Sequence, residues 1–231
     1  MRTRLLVLGI ILATGMLIAG LINKYYYSEE YRNPDNQLAV INPSDVNASL
    51  VDSSIAHVSE GHTIADFSFV NQLGDTITQQ DLKGKIYVAD FFFTTCGSIC
   101  PKMTKQLQRV QQEFSGDENF KILSHTVNPK IDTVEVMKAY ADKFNADHAQ
   151  WYFLTGSKES LYLMARKSYL VVPDQNDPNF KHGDESDFIH TENFVLIDPD
   201  RRIRGMYDGT NPDEVSKLIQ DIHDLKQEYK L

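Results

Sequence analysis

The two cysteines of the chain, Cys96 and Cys100, are separated by three residues and followed by Pro101. Cysteine thiolate is the form that binds soft metal ions and attacks disulfides. Proline is favoured in the first turn of a helix, so Cys100 is expected at or near the N-terminal cap. Unpaired backbone N–H groups and the helix dipole favour the thiolate at that position. The pair therefore predicts a Cu(I) or zinc site or a reversible disulfide.

A structural disulfide that only pins the loop is the competing interpretation of this pair. A disulfide that closes so short a loop constrains little of the chain. Two cysteines are also too few to form the disulfide framework of a small secreted fold. The pair alone does not separate metal binding from redox chemistry, because that distinction depends on a third ligand.

Cu(II) requires nitrogen ligands in addition to thiolates, and the chain has 7 histidines. His182 lies in a polar segment, 177–187, and His190 follows that segment and enters a predicted strand. An extended loop before His190 would carry it to the strand end from which Cys96 emerges. Spacing alone leaves His190 in competition with the others. Four of the remaining histidines are interpreted as solvated surface residues: His57, His62, His148 and His223. His125 lies in a predicted strand and is interpreted as a core residue.

The elements that would position these residues alternate between strands and helices. Residues 85–93 are almost continuously apolar and aromatic, as in a central strand that is buried on both faces. Residues 101–114 carry apolar side chains at helical spacing. Further strands are predicted at 64–70, 76–78, 120–127, 151–154, 188–198 and 203–207, and further helices over 132–144, 157–167 and 211–228. This order predicts an α/β fold with a central mixed sheet, including a late antiparallel hairpin, flanked by helices on both faces.

The N-terminus has the pattern of a membrane segment. Arg2 and Arg4 precede an uncharged run over 5–22, and Lys24 follows it. Eighteen helical residues span about 27 Å, close to the hydrocarbon thickness of a bilayer. Positive charge before the run predicts that the N-terminus stays cytoplasmic and that the rest is exported. Residues 1–24 are therefore predicted to be a membrane anchor, with a cleaved signal segment as the alternative.

The rest of the chain divides into a tether and one domain. Residues 25–60 are polar and rich in turn-forming residues, which predicts a tether, and 61–231 form the predicted domain. Both interpretations of the N-terminus place this domain outside the cytoplasm. The formal charge of -9 argues against a nucleic-acid partner, which would require a clustered Lys/Arg face.

The segment 92–103 resembles the Cys-x-x-x-Cys-Pro signature of the Sco/SenC family of copper-binding proteins. Segments 127–133, 187–191 and 196–200 match further family segments in order, so that the resemblance covers about 61–223. Asn128 stands where the family usually has Asp, and an acidic role is not carried over to it. Asp132 matches the family, but its place ahead of Glu135 also fits a helix N-cap.

The resemblance implies a thioredoxin-like fold and a copper site made by Cys96, Cys100 and His190. It favours a metallochaperone over an enzyme and leaves a thiol–disulfide reductase open. With the predicted anchor, the domain is expected on the periplasmic side of the inner membrane. Its task would be to deliver copper to the CuA centre in the copper-bearing subunit of cytochrome c oxidase, or to reduce the cysteines of that centre. Other copper or thiol-redox proteins are further partners. The alternatives are an extracytoplasmic thiol–disulfide oxidoreductase or peroxidase-like enzyme, neither of which would need His190, and a scaffold with an inert disulfide.

Overall fold

The structure of the protein is a computed structural model that describes residues 37–171 and 191–231. Contacts divide the chain into two units, Met1–Ala39 and Val40–Leu231, and the sheets and helices below belong to the second. The predicted anchor, 1–24, lies outside the described residues. Within the described ranges, no helix combines the length and apolar character needed to cross a bilayer.

The fold is organised around one mixed sheet of five strands. A short antiparallel hairpin precedes it. Over residues 37–171 and 191–231, the strands in chain order are β1 (Ser68–Val70), β2 (Thr76–Thr78), β3 (Ile86–Phe92), β4 (Phe120–Thr126), β5 (Trp151–Leu154), β6 (Asn193–Ile197) and β7 (Ile203–Asp208). The order in the sheet is β5-β4-β3-β6-β7. Strands β3, β4 and β5 are parallel, β6 is antiparallel to β3, and β7 is antiparallel to β6. Every residue of β3 is buried, which confirms the predicted central strand.

Helices cover both faces of the sheet: α1 (Ile99–Glu113), α2 (Val134–Lys143), α3 (Lys158–Leu163), which continues into a π-helical turn at Met164–Ser168, and α4 (Pro212–Tyr229). On one face, α1 packs against α4, and the Tyr140 ring of α2 lies 5.4 Å from the Phe92 ring of β3. On the other face, Tyr87 and Phe91 pack into a cluster with Leu161 and Tyr169. The result is the predicted thioredoxin-like fold, with a mixed sheet between helices.

Part of the predicted tether is packed against the domain. The Ile41 N–H group donates to the Ile203 carbonyl at 2.8 Å, Val51 is buried, and Asp52 pairs with Arg166 at 3.6 Å. The turn-forming residues of this segment build short 3₁₀ turns at Pro43–Asp45 and Ala48–Leu50. Turn-rich composition does not distinguish a flexible linker from a coil that is fixed by a few buried apolar side chains.

The outer edge of β5 is closed by the side chain of Gln72. Its Oε1 accepts the Phe153 N–H at 2.9 Å, and its Nε2 donates to the Trp151 carbonyl at 2.8 Å. His148 Nδ1 lies 3.0 Å from Gln72 Nε2, which can only donate, so the His148 proton sits on Nε2 and faces Asp142 Oδ1 at 2.9 Å. His148 is thus half-buried in a polar network, rather than solvated as its loop position predicts.

Candidate metal centre

The cysteine pair lies in the connection between β3 and α1. Strands β3 and β4 are parallel and paired up to Phe92 and Thr126, so the loops that follow them meet at one edge of the sheet. The Cys96 N–H group donates to the Phe93 carbonyl at 3.2 Å, which closes a turn directly ahead of the helix. Both cysteines are free thiols, with Cys96 half-buried and Cys100 buried.

The helix start differs from the prediction. Helix α1 begins at Ile99, two residues before Pro101, with Ser98 as its N-cap, so Cys100 lies near the cap, as predicted, but as the second residue of the helix rather than at the cap itself. The Ser98 side chain makes no capping hydrogen bond. Instead, the Cys96 Sγ accepts the N–H of Cys100 at 3.4 Å. Proline is tolerated throughout the first turn because those N–H groups have no partner within the helix, so Pro101 does not fix the start to one residue.

The two thiols have opposite electrostatic environments. Burial raises the pKa of Cys100 to about 12. Partial burial also acts to raise the pKa of Cys96, but the backbone N–H groups of Cys100 and Ser98 outweigh it, and this pKa lies below its ordinary value of 9.0. The Cys96 thiol therefore ionises first, whereas the sequence predicts that Cys100 is the favoured thiolate.

A hydrogen-bonded contact with α2 also fixes the start of α1. Thr104 Oγ1 donates to the Cys100 carbonyl at 2.7 Å and lies 2.8 Å from the Tyr140 hydroxyl. Because the Thr104 proton is already used, Tyr140 is the donor in the second bond. Both side chains are buried, so this contact fixes the backbone of Cys100 against the neighbouring helix.

Asp132 has a different role from the predicted N-cap. Thr133 caps α2, with its Oγ1 accepting the Val136 N–H at 3.4 Å. The Asp132 carboxylate is fully buried and accepts the Thr94 N–H at 3.2 Å. It also accepts the hydroxyl protons of Thr94 and Thr126. Asp132 thus connects the loop after β4 to the cysteine loop.

His125, His62 and His223 have partners other than the cysteine pair. His125 is fully buried, as predicted for a core residue, and stacks on Phe91 at 5.1 Å. Burial lowers the pKa of His125 to about 4. His62 Nε2 is bonded to the Ser168 carbonyl at 2.8 Å, and His223 pairs with Glu113 at 2.9 Å.

The remaining ligand candidates, His182 and His190, lie outside the described residues. In the part of the chain that is described, no three His, Cys, Asp or Glu side chains are arranged to hold a metal ion.

Sequence reasoning did not single out Asp90, which lies in β3 below the cysteine loop. Its side chain is buried and accepts the Ser124 hydroxyl proton, and Ser124 in turn accepts the Trp151 indole N–H at 2.8 Å. Burial raises the pKa of Asp90 to about 7. The sequence feature that could have identified Asp90 is a single acidic residue within an otherwise apolar central strand. Burial of an acidic side chain costs free energy, and buried acidic groups with shifted pKa values are common at functional sites.

The fold and the cysteine loop define a thioredoxin-like domain with a Cys-x-x-x-Cys pair at a strand-to-helix junction. The SCO1/SenC family model matches residues 56–227. The chain belongs to this family.

Three relatives illustrate the match. The SCO1 protein homolog of Bacillus subtilis (strain 168) is 29% identical over 163 residues, which cover 70% of this chain and 81% of the relative. The structure of BsSco, a member of the Sco family of cytochrome c oxidase assembly proteins with a disulfide switch, is 28% identical with a TM-score of 0.61, covering 72% of this chain and 94% of its own. Copper-bound ScoI of Bradyrhizobium japonicum is 25% identical with a TM-score of 0.54, covering 69% and 98%.

Proposed function

We propose that this protein is a copper chaperone that binds Cu(I) and Cu(II) through Cys96, Cys100 and His190. The observation that carries the proposal is the pair of free thiols at the first turn of α1, one half-exposed and one buried, in a chain that belongs to the SCO1/SenC family. A copper-bound relative supports the choice of metal. Copper is the cargo of this site rather than a resident cofactor.

The donor set suits both oxidation states of copper. Soft thiolates favour Cu(I), and an imidazole supplies the nitrogen that Cu(II) prefers. Because the pKa of Cys100 is raised to about 12, copper has to displace the proton of this thiol. Half-buried Cys96 remains accessible to an incoming ligand, which permits transfer by ligand exchange. Exchange with a disulfide partner, which takes up two electrons and leaves as two thiols, would convert the pair to a disulfide, remove both thiolates and release the metal.

The topology supports His190 as the third ligand. Strand β6 runs antiparallel to β3, with Val195 opposite Ala89 and Ile197 opposite Tyr87. Strand β6 therefore begins at the end of β3 from which the cysteine loop leaves. Thr191 is buried at this edge of the domain, and His190 precedes it in the chain.

The cellular setting follows from the N-terminal sequence. We place residues 1–24 in the membrane as an anchor and the domain on the periplasmic side of the inner membrane. The target is the CuA centre in the copper-bearing subunit of cytochrome c oxidase, a choice supported by the Sco relative that is an oxidase assembly protein. An exported thiol pair has to be kept reduced before it can accept copper.

The test is a metal count and spectrum of the reduced, anaerobic protein with Cu(I) and with Cu(II). We expect about one copper per chain, because two thiolates and one imidazole make a single site. His190→Ala should weaken Cu(II) retention while both cysteines remain free thiols. His223→Ala, which removes an exposed histidine paired with Glu113, is the matched control and should bind like the wild type. Equal Cu(II) retention by His190→Ala would remove His190 from the site, and no retained copper in the wild type would refute the chaperone function.

A thiol–disulfide oxidoreductase is the second candidate function. The specific observation in its favour is the asymmetry of the thiols, since the acidic, half-exposed Cys96 suits attack on a disulfide and the buried Cys100 suits resolution of the mixed disulfide. Copper-free protein would then reduce a disulfide substrate, and His190→Ala would do so equally well. Absence of turnover by copper-free protein would leave the copper chaperone alone.

A further inference from the structure

Asp132 is hydrogen-bonded to the turn that carries Cys96. The turn is closed by the bond from the Cys96 N–H to the Phe93 carbonyl at 3.2 Å. Its second residue, Thr94, donates both its backbone N–H and its hydroxyl proton to the Asp132 carboxylate. One buried side chain therefore fixes the main chain and the side chain of a residue two positions before Cys96.

Asp132 is itself fixed to the end of β4. The N–H groups of Ile131 and Asp132 both donate to the Asn128 carbonyl, at 3.0 and 2.9 Å. The Asn128 N–H donates to Thr126 Oγ1 at 2.9 Å, and that hydroxyl donates to Asp132. Asn128 takes part in this turn through its backbone, so the turn does not require an acidic side chain there.

A carboxylate is the side chain that this position requires. Two N–H or O–H donors of Thr94 and one of Thr126 converge on it, and a carboxylate offers acceptor sites on both oxygens. An asparagine would present one acceptor oxygen and an NH₂ group, which would face donors. Thr94 and Asp132 are 38 positions apart. The sheet brings the loops after β3 and β4 near each other, and this contact fixes one against the other.

We propose that Asp132 is a positioning residue for Cys96. It holds the turn of residues 93–96 against the end of β4, and it thereby fixes the direction from which the Cys96 sulfur meets the Cys100 N–H and a copper ion. The inference deepens the proposed function and rests on it. It assigns to Asp132 no contact with the metal.

The test compares Asp132→Asn with two changes of its partner, Thr94→Val and Thr94→Ser. Loss of the groups that orient a metal ligand typically weakens metal affinity about 10-fold or more, and we expect this for Asp132→Asn and Thr94→Val. Their Cu(II)–thiolate absorption band should also shift, because the direction of Cys96 toward the metal changes. Thr94→Ser keeps the hydroxyl and should behave like the wild type. Asp221→Asn is the matched control. Asp221 is a buried carboxylate on α4 and accepts the Tyr207 hydroxyl proton at 2.7 Å.

A second readout is independent of copper. The equilibrium constant for oxidation of the Cys96–Cys100 pair by glutathione disulfide, which yields the protein disulfide and two glutathione, should rise in Asp132→Asn and Thr94→Val. The reason is that the hydrogen bond from the Cys100 N–H to Cys96 Sγ, which stabilises the reduced pair, is weakened.

The proposal is overturned if both variants lose thermal stability as Asp221→Asn does while the copper band, the affinity and the disulfide equilibrium stay unchanged. If Asp132→Asn does not fold, Thr94→Val alone decides. A wild type that binds no copper would refute the proposed function, and the disulfide equilibrium would still test the positioning role.

Discussion

Cys96 of the reduced, metal-free protein should be alkylated at least about 50-fold faster than Cys100 at pH 7, because a much larger fraction of Cys96 is thiolate. Cys100 has a pKa of about 12, whereas the pKa of Cys96 lies below 9.0. At pH 7 about 10⁻⁵ of Cys100 and at least about 10⁻² of Cys96 is thiolate, a ratio of at least about 1,000. A thiolate of higher pKa is more nucleophilic, which over the three pKa units between 9 and 12 returns about 20-fold to Cys100; a lower pKa of Cys96 adds more to its thiolate fraction than it takes from its nucleophilicity. The ionisation difference is therefore the larger effect.

Access acts in the same direction, since Cys100 is only 3% exposed and Cys96 is half-buried. The assay is pulsed alkylation with iodoacetamide under a chelator, followed by intact mass, on the matched variants Cys96→Ser and Cys100→Ser. Both cysteines lie between Lys85 and Lys102, so in the wild type they share one tryptic peptide and have to be separated by fragmentation.

The pH profile provides the internal check. In Cys100→Ser, the alkylation rate of Cys96 should reach half of its maximum below pH 9, because the pKa of Cys96 is lowered, whereas in Cys96→Ser the rate at Cys100 should still rise at pH 10. Equal rates at pH 7, or faster alkylation of Cys100, would refute the assignment of the helix-start N–H groups to the Cys96 sulfur.

Two further predictions concern buried titratable groups, which should give opposite pH dependences of stability. The pKa of His125 is about 4 in the folded protein against 6.5 in the unfolded chain, so the stability that depends on its neutral ring is fully present above pH 6.5. As the pH falls to 4, the free energy of unfolding of the wild type, measured in urea, should fall by up to about 3 kcal/mol relative to that of His125→Leu. The pKa of Asp90 is about 7 in the folded protein against 3.8 in the unfolded chain, so the stability that depends on its protonated form is present at low pH. As the pH rises from 3.8 to 7, the free energy of unfolding of the wild type should fall by up to about 4 kcal/mol relative to that of Asp90→Asn. A pH-independent offset between the wild type and either variant would contradict the corresponding shift.

Sequence periodicity was sufficient for the elements that bury large apolar surfaces. The run at 85–93 predicted the buried central strand, and side chains at helical spacing from Met103 to Phe114 predicted the buried face of α1. These patterns are strong because each residue independently favours the same element. The Cys-x-x-x-Cys pair could be recognised from the sequence because both cysteines and the proline lie within six consecutive residues.

The chemistry of the pair was not predictable from local sequence. The start of α1 differs from the prediction by only two residues, yet this shift exchanges which sulfur meets the helix N–H groups. Proline in the first turn does not set that register, because its missing N–H is no loss at any of those positions. The bond from Thr94 to Asp132 joins distant parts of the chain, and no sequence period records such a contact.

The closed edge of β5 has a consequence for how the protein behaves at high concentration. A carboxamide carries the same donor and acceptor as a peptide unit, so the Gln72 side chain replaces a sixth strand along two residues of β5. Beyond them, the backbone of Thr155 exchanges hydrogen bonds with Val70 at 2.8 and 2.9 Å. An extended segment of another molecule would have to displace these bonds before it could add to the sheet. At this edge, Gln72 and Val70 therefore act against polymerisation through strand addition.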